Sequence, residues 1–78
     1  MELRHRLGTN VRRLRESAQL SQEELAFRAG MHVTYLSGVE NGRRNPSLGI
    51  IVRLANALEI DPVELFGLSN EPSDQPLG

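Results

Sequence analysis

At 78 residues, with no cysteine and a net charge of −1, the chain has room for one domain and for neither a disulfide framework nor a thiolate metal site. No apolar run approaches the roughly 20 residues that a membrane span needs, and Met1-Glu2-Leu3-Arg4-His5 lacks the apolar stretch of a signal peptide, so a soluble, cytoplasmic protein without a membrane partner is expected. All nine basic residues are arginines between Arg4 and Arg53, set against five acids in residues 1–58, whereas residues 59–78 carry five acids and no base. A basic body with an acidic end suits contact with nucleic acid on one side, although charge alone does not decide against an ordinarily solvated surface with an acidic end.

Leu3, Leu7, Val11, Leu14 and Ala18 recur at helical spacing and predict an amphipathic helix from about Glu2 to Ser17, with arginines on its other faces. Gly8 interrupts this pattern as a poor helix former. Ser21-Gln22-Glu23-Glu24 forms a capping box, in which the Ser21 hydroxyl accepts from the Glu24 amide and the Glu24 carboxylate reaches back. A short helix should follow, burying Leu25, Ala26 and Ala29 and stopping at Gly30. Another fits from about Val33 to Asn41, with Leu36 and Val39 inward and Gly42 closing it.

Arg43-Arg44-Asn45-Pro46 reads as a loop, because proline disfavours helical geometry in the residue before it. Ser47 can cap a fourth helix carrying Leu48, Ile51, Leu54, Ala55 and Leu58. Asp61-Pro62-Val63-Glu64 reads as a second capping box, with proline at the favoured first position and Gly67 ending the last helix. Residues 69–78 hold two prolines, small polar residues and acids, so residues 1–68 are expected to form the domain and 69–78 a disordered acidic tail. No strand-period alternation appears, and the expectation is an all-α, five-helix domain.

Two short helices joined by a tight turn require particular residue types at fixed offsets. Counting Gln22 as the first position, Ala26 is the fifth, Gly30 the ninth, Leu36 the fifteenth and Val39 the eighteenth. A small residue at Ala26 lets the second helix approach, glycine makes the turn at no steric cost, and Leu36 and Val39 pin the second helix with its other side outward. The stretch from Leu20-Ser21-Gln22-Glu23-Glu24-Leu25-Ala26 through Asn41-Gly42-Arg43-Arg44-Asn45-Pro46-Ser47-Leu48 resembles the lambda-repressor-like helix-turn-helix regulators, also called the XRE family. Thr34-Tyr35-Leu36-Ser37-Gly38-Val39-Glu40 with the following loop most resembles the controller proteins of restriction-modification systems. The resemblance spans roughly residues 7–68 and implies five helices, a homodimer on a two-fold-symmetric operator in double-stranded DNA, and transcription regulation without catalysis.

With Leu36 and Val39 inward, a 100° step per residue places Thr34, Gly38 and Asn41 opposite, Ser37 beside them and Val33 within reach from the first turn. These residues would face the major groove without the arginine or glutamine forks that read bases most clearly. DNA shape should therefore carry part of the specificity, with Arg43 or Arg44 at the groove's edge. The resemblance gives Gln22 a phosphate contact at its helix N-terminus and gives Arg43 and Arg44 backbone contacts. The Tyr35 hydroxyl can reach a phosphate, or its ring can pack over a neighbouring helix. Ordinary solvated polar residues are the competing reading for Thr34, Ser37, Gln22 and the two arginines. The resemblance also implies a semi-buried ion pair between Arg15 and Glu40, with DNA contact the alternative for Arg15.

Val63, Leu65, Phe66 and Leu68 exceed what one face of a short helix can bury. With Ile60 they suggest a dimer patch, against the reading that Phe66 plugs the monomer's core. His5 and His32 are too few for a metal site, with His32 expected to cap or flank the recognition helix. No cysteine nucleophile, phosphate-cradling glycine loop or cluster of His or Asp points to an enzyme, and no cofactor is expected. The rival to a DNA regulator is an antitoxin or protein-interaction adaptor on the same scaffold, with the acidic tail from Glu71 to Gly78 binding a protein partner.

Overall fold

Serine caps set the frame for much of the chain. The computed structural model describes residues 3–67, which form α1 (Leu3–Ser17), α2 (Gln22–Ala29), α3 (Val33–Glu40), α4 (Leu48–Leu58) and a short 3₁₀ helix, Pro62–Phe66. Leu68 and the expected acidic tail, residues 69–78, lie outside the described residues. At α2 both halves of the capping box form: the Glu24 amide donates to the Ser21 hydroxyl at 3.0 Å and the Ser21 amide to the Glu24 carboxylate at 2.7 Å. Ser47 opens α4 by accepting from the Ile50 amide at 3.2 Å.

The fifth element departs from expectation. Asp61 accepts from the Val63 amide at 2.9 Å, while the Glu64 amide turns to the Asp61 carbonyl at 2.9 Å. The reciprocal box therefore does not close, and three-residue hydrogen bonding gives one 3₁₀ helix in place of a fifth α-helix. α3 is one residue shorter than expected, with Asn41 serving as its cap.

α1 packs on α3 and on the 3₁₀ helix, and α2 packs on α3 and α4. Val11, Leu25, Leu36, Leu54, Ala55 and Leu65 are wholly inaccessible at the centre of this arrangement. Each buried leucine is worth about 1.5–3 kcal/mol relative to exposure. Leu65 thus belongs to the chain's own core and offers no surface to a second copy, which corrects its place in the expected dimer patch. The apolar stripes overrun the body at their ends: Leu3 and Ala18 at the edges of α1, and Leu48 in the first turn of α4, are exposed. No helix among the described residues is long and apolar enough to cross a membrane.

Gly8, which looked like a flaw in α1, sets how closely α1 approaches α3. A Cβ there would run into the carbonyl oxygen of Val39 and come within 2.7 Å of that of Glu40. These are backbone atoms that cannot swing aside. Glycine's low helix propensity is accepted in exchange for close packing against the last turn of α3.

Candidate nucleic-acid interface

The inner side of α3 is held by apolar contact and by charge. Leu36, Val39 and Glu40 are all buried. Arg15 of α1 meets the Glu40 carboxylate with two donors, Nε to Oε2 at 2.7 Å and Nη2 to Oε1 at 3.1 Å. Its remaining nitrogen, Nη1, donates to the Leu20 carbonyl at 2.9 Å. The hydrogen bond to Glu40 raises the Arg15 pKa above its ordinary value; burial opposes this, and the negative charge of Glu40 adds to the rise.

Gln22 completes this cluster, its side-chain amide donating to Glu40 Oε1 at 2.9 Å. The family resemblance implied a phosphate contact for Gln22; within the chain, its amide nitrogen ties the start of α2 to the buried end of α3. A turn from α2 to α3 runs through Gly30, whose backbone is left-handed at φ 71°. Arg53 of α4 fastens it, donating to the Ala29 carbonyl at 3.0 Å and to the Gly30 carbonyl. This clamp was not foreseen, since only the fold brings residue 53 to residue 30. Asn10 was missed for the same reason: buried on α1, it donates to the Leu65 carbonyl at 3.0 Å and holds the 3₁₀ helix.

The outer side of α3 is polar and open. Thr34 and Asn41 are exposed and Ser37 is half-buried, and their spacing sets them along one helix face. The Asn41 amide donates to the Ser37 carbonyl at 2.9 Å and lies 3.4 Å from its hydroxyl, so these two side chains are already linked. Val33 and Tyr35 are half-buried and pack against the core. His32 stands at the N-cap of α3 without a side-chain capping bond. Arg43 and Arg44 are exposed just beyond the helix, and the Arg44 guanidinium lies over the Tyr35 ring, 5.6 Å from its centroid. Gly38, expected to lie open on this face, is instead buried. The chain folds back after α3, so that the Arg43 and Arg44 amides donate to its carbonyl at 2.8 and 3.3 Å.

Among the expected dimer residues, Val63 leaves 57% of its surface exposed, and Ile60 and Phe66 are half-buried against the core. Phe66 also lines a recess of about 180 Å³ with Leu3, Leu7, Leu48 and Ile51.

Two short helices locked at a tight turn, the second showing a polar strip followed by exposed arginines, define a helix-turn-helix unit. The chain belongs to the helix-turn-helix family, which it matches over residues 11–65, and within it to the XRE-type DNA-binding transcriptional regulators, which are not enzymes. It is 42% identical over 71 residues to an uncharacterized HTH-type transcriptional regulator of Sinorhizobium fredii, covering 91% of this chain and 92% of that one. It is 43% identical over 60 residues to the control protein C.BamHI of Bacillus amyloliquefaciens, covering 76% of this chain and 74% of that protein. Among solved structures, it is similar to the restriction-modification controller protein C.AhdI from Aeromonas hydrophila. The TM-score is 0.78 and the identity 48%, covering 80% of this chain and 94% of that one.

Proposed function

We propose that the chain is a cytoplasmic, sequence-specific regulator that binds a two-fold-symmetric operator as a homodimer and serves as the controller of a restriction-modification system. α3 enters the major groove. Thr34, Ser37 and Asn41 face base edges, the Val33 and Thr34 methyls meet thymine methyls, and Tyr35, Arg43 and Arg44 contact the backbone or the groove's edge. Gln22 retains a phosphate contact only through atoms left over from its bond to Glu40.

The observation that carries this reading is the polarity of α3 across its own axis. Leu36, Val39 and Glu40 are buried on one side, while Thr34 and Asn41 stand exposed on the other. A helix so anchored presents a fixed polar strip, which groove recognition requires. One such helix reaches few base pairs, and specific affinities of about 10⁻⁸ to 10⁻¹¹ M call for more contact. Two copies related by a two-fold axis supply it, with half-sites about 34–36 Å apart when they fall on successive turns. Val63, Ile60 and Phe66 are the described apolar residues assigned to that interface, together with Leu68.

Selection of binding sites from a random duplex library with the purified chain tests the proposal. The expected result is a two-fold-symmetric consensus bound by two chains, with affinity falling steeply as salt rises. Recovery of no consensus, with a flat salt response, would overturn it. The controller role is tested separately by the neighbouring genes, where a restriction endonuclease gene is expected.

A further inference from the structure

We infer that Gly38 and Tyr35 together form a seat that holds Arg44 against the outer face of α3 before any DNA arrives, which makes Gly38 a positioning residue for that arginine. The inference rests on the DNA-binding reading and adds to it a residue whose role no polar group advertises.

Glycine is an unfavourable choice inside a helix, and the backbone gives no reason for it here, since the left-handed glycines are Gly30, Gly42 and Gly67. What requires it is the next segment of chain. Asn41 caps α3, Gly42 reverses the chain at φ +75°, and the amides of Arg43 and Arg44 both return to the Gly38 carbonyl. The Arg44 stem then lies directly over residue 38. A Cβ at that position would stand 2.7 Å from Arg44 Cγ, 3.4 Å from Nε and 3.6 Å from Cδ. Beyond the stem, the guanidinium rests over the Tyr35 ring at 5.6 Å, while the residue as a whole remains exposed.

Residue 38 is one turn from both Thr34 and Asn41 on the helix surface. The seat therefore places a permanent positive charge, with its planar set of donors, on the strip assigned to the groove. An arginine moving freely in solvent loses rotamer freedom when it binds; one already laid on a glycine notch and an aromatic face loses less. The fold thereby compensates for the short, weakly reading side chains of α3.

The test compares the full-length wild type with Gly38→Ala, Arg44→Ala and the double variant, using the selected duplex as probe. Gly38→Ala gains helix propensity but must displace the Arg44 stem from Cγ outward, so its melting temperature should stay close to that of wild type. It should bind the duplex about 2- to 10-fold more weakly, the scale of ordering one long side chain, and should add little once Arg44 is alanine. By NMR, the upfield displacement of Arg44 side-chain protons by the Tyr35 ring should be present in the DNA-free wild type and lost in Gly38→Ala. Should Gly38→Ala fold poorly, Tyr35→Leu against Tyr35→Phe provides the same comparison: leucine should abolish the displacement and weaken binding beyond the effect of phenylalanine. Wild-type affinity in Gly38→Ala, or an equal loss with and without Arg44, would overturn the seat. Absence of duplex binding by the wild type would instead overturn the regulator reading.

Discussion

The two sides of α3 carry comparable polar chemistry and use it in opposite ways. On the inner side, Arg15, Gln22 and Glu40 satisfy one another over 2.7–3.1 Å, with Arg15 and Glu40 buried and Gln22 half-buried. On the outer side, Thr34, Asn41 and Arg43 remain exposed. Charge buried and paired within the protein fixes an orientation, and its removal should be read in stability. Polar groups left in water contribute little to the fold and remain available to a partner. A helix of eight residues is too short to hold itself, so the inner side must be immobile for the outer side to present a constant pattern.

The sharpest way to break this contrast is Glu40→Ala. It leaves the Arg15 guanidinium buried without its carboxylate, and urea denaturation should show a loss of about 3–5 kcal/mol. A loss below about 1 kcal/mol would mean that the pair behaves as an exposed one. Gly8→Ala follows, also on the inner side. The added methyl meets backbone carbonyls of α3, so overpacking of about 1–3 kcal/mol should outweigh the gain in helix propensity. A rise in melting temperature would show that α1 can shift away at no cost.

On the outer side, Thr34→Ala should leave stability unchanged and lower affinity for the selected site by roughly fivefold, near the lower end of base-contact energies, while random duplex is bound as before. Arg43→Ala should weaken both kinds of DNA and reduce the log–log salt slope by about 0.9. Equal losses from both variants on selected and random duplex would show that the readout face lies elsewhere.

The smallest effect concerns neither side of α3 but the helix that carries it. The Glu24 pKa is lowered, chiefly by the hydrogen bond from the Ser21 backbone amide. The contribution of this capping box is therefore present above the ordinary glutamate range and is lost as pH falls through the lowered folded value. Glu24→Gln should flatten that part of the acid limb in a pH series of melting temperatures. An unchanged acid limb would assign the effect to other carboxylates.

Much of the frame was legible because its signals are local. Ser21, Ser47 and Gly30 act through hydrogen bonds and backbone angles within a few residues of themselves, and each stands where its neighbours required. Leu36 and Val39 were readable because a helix repeats every 3.6 residues whatever it packs against. Other features misled for the opposite reason. Gly8 looked like a weakness and Gly38 like an open place on the readout face, because a missing side chain does not reveal what fills its space. Leu65 reads as a surplus apolar residue in the sequence because its burial depends on Asn10, distant in the chain, drawing the 3₁₀ helix onto α1.

The order of residues by itself determined the four α-helices, the turn between the second and third, and which side of α3 is polar, since caps, periodicity and glycine geometry all act over short range. Only the tertiary structure decided that Gln22 joins the Arg15–Glu40 pair, that Arg53 clamps the turn, and that Arg44 lies across Gly38 onto Tyr35. Each of these contacts joins side chains or segments brought together by packing, and their geometry does not exist until the helices have met.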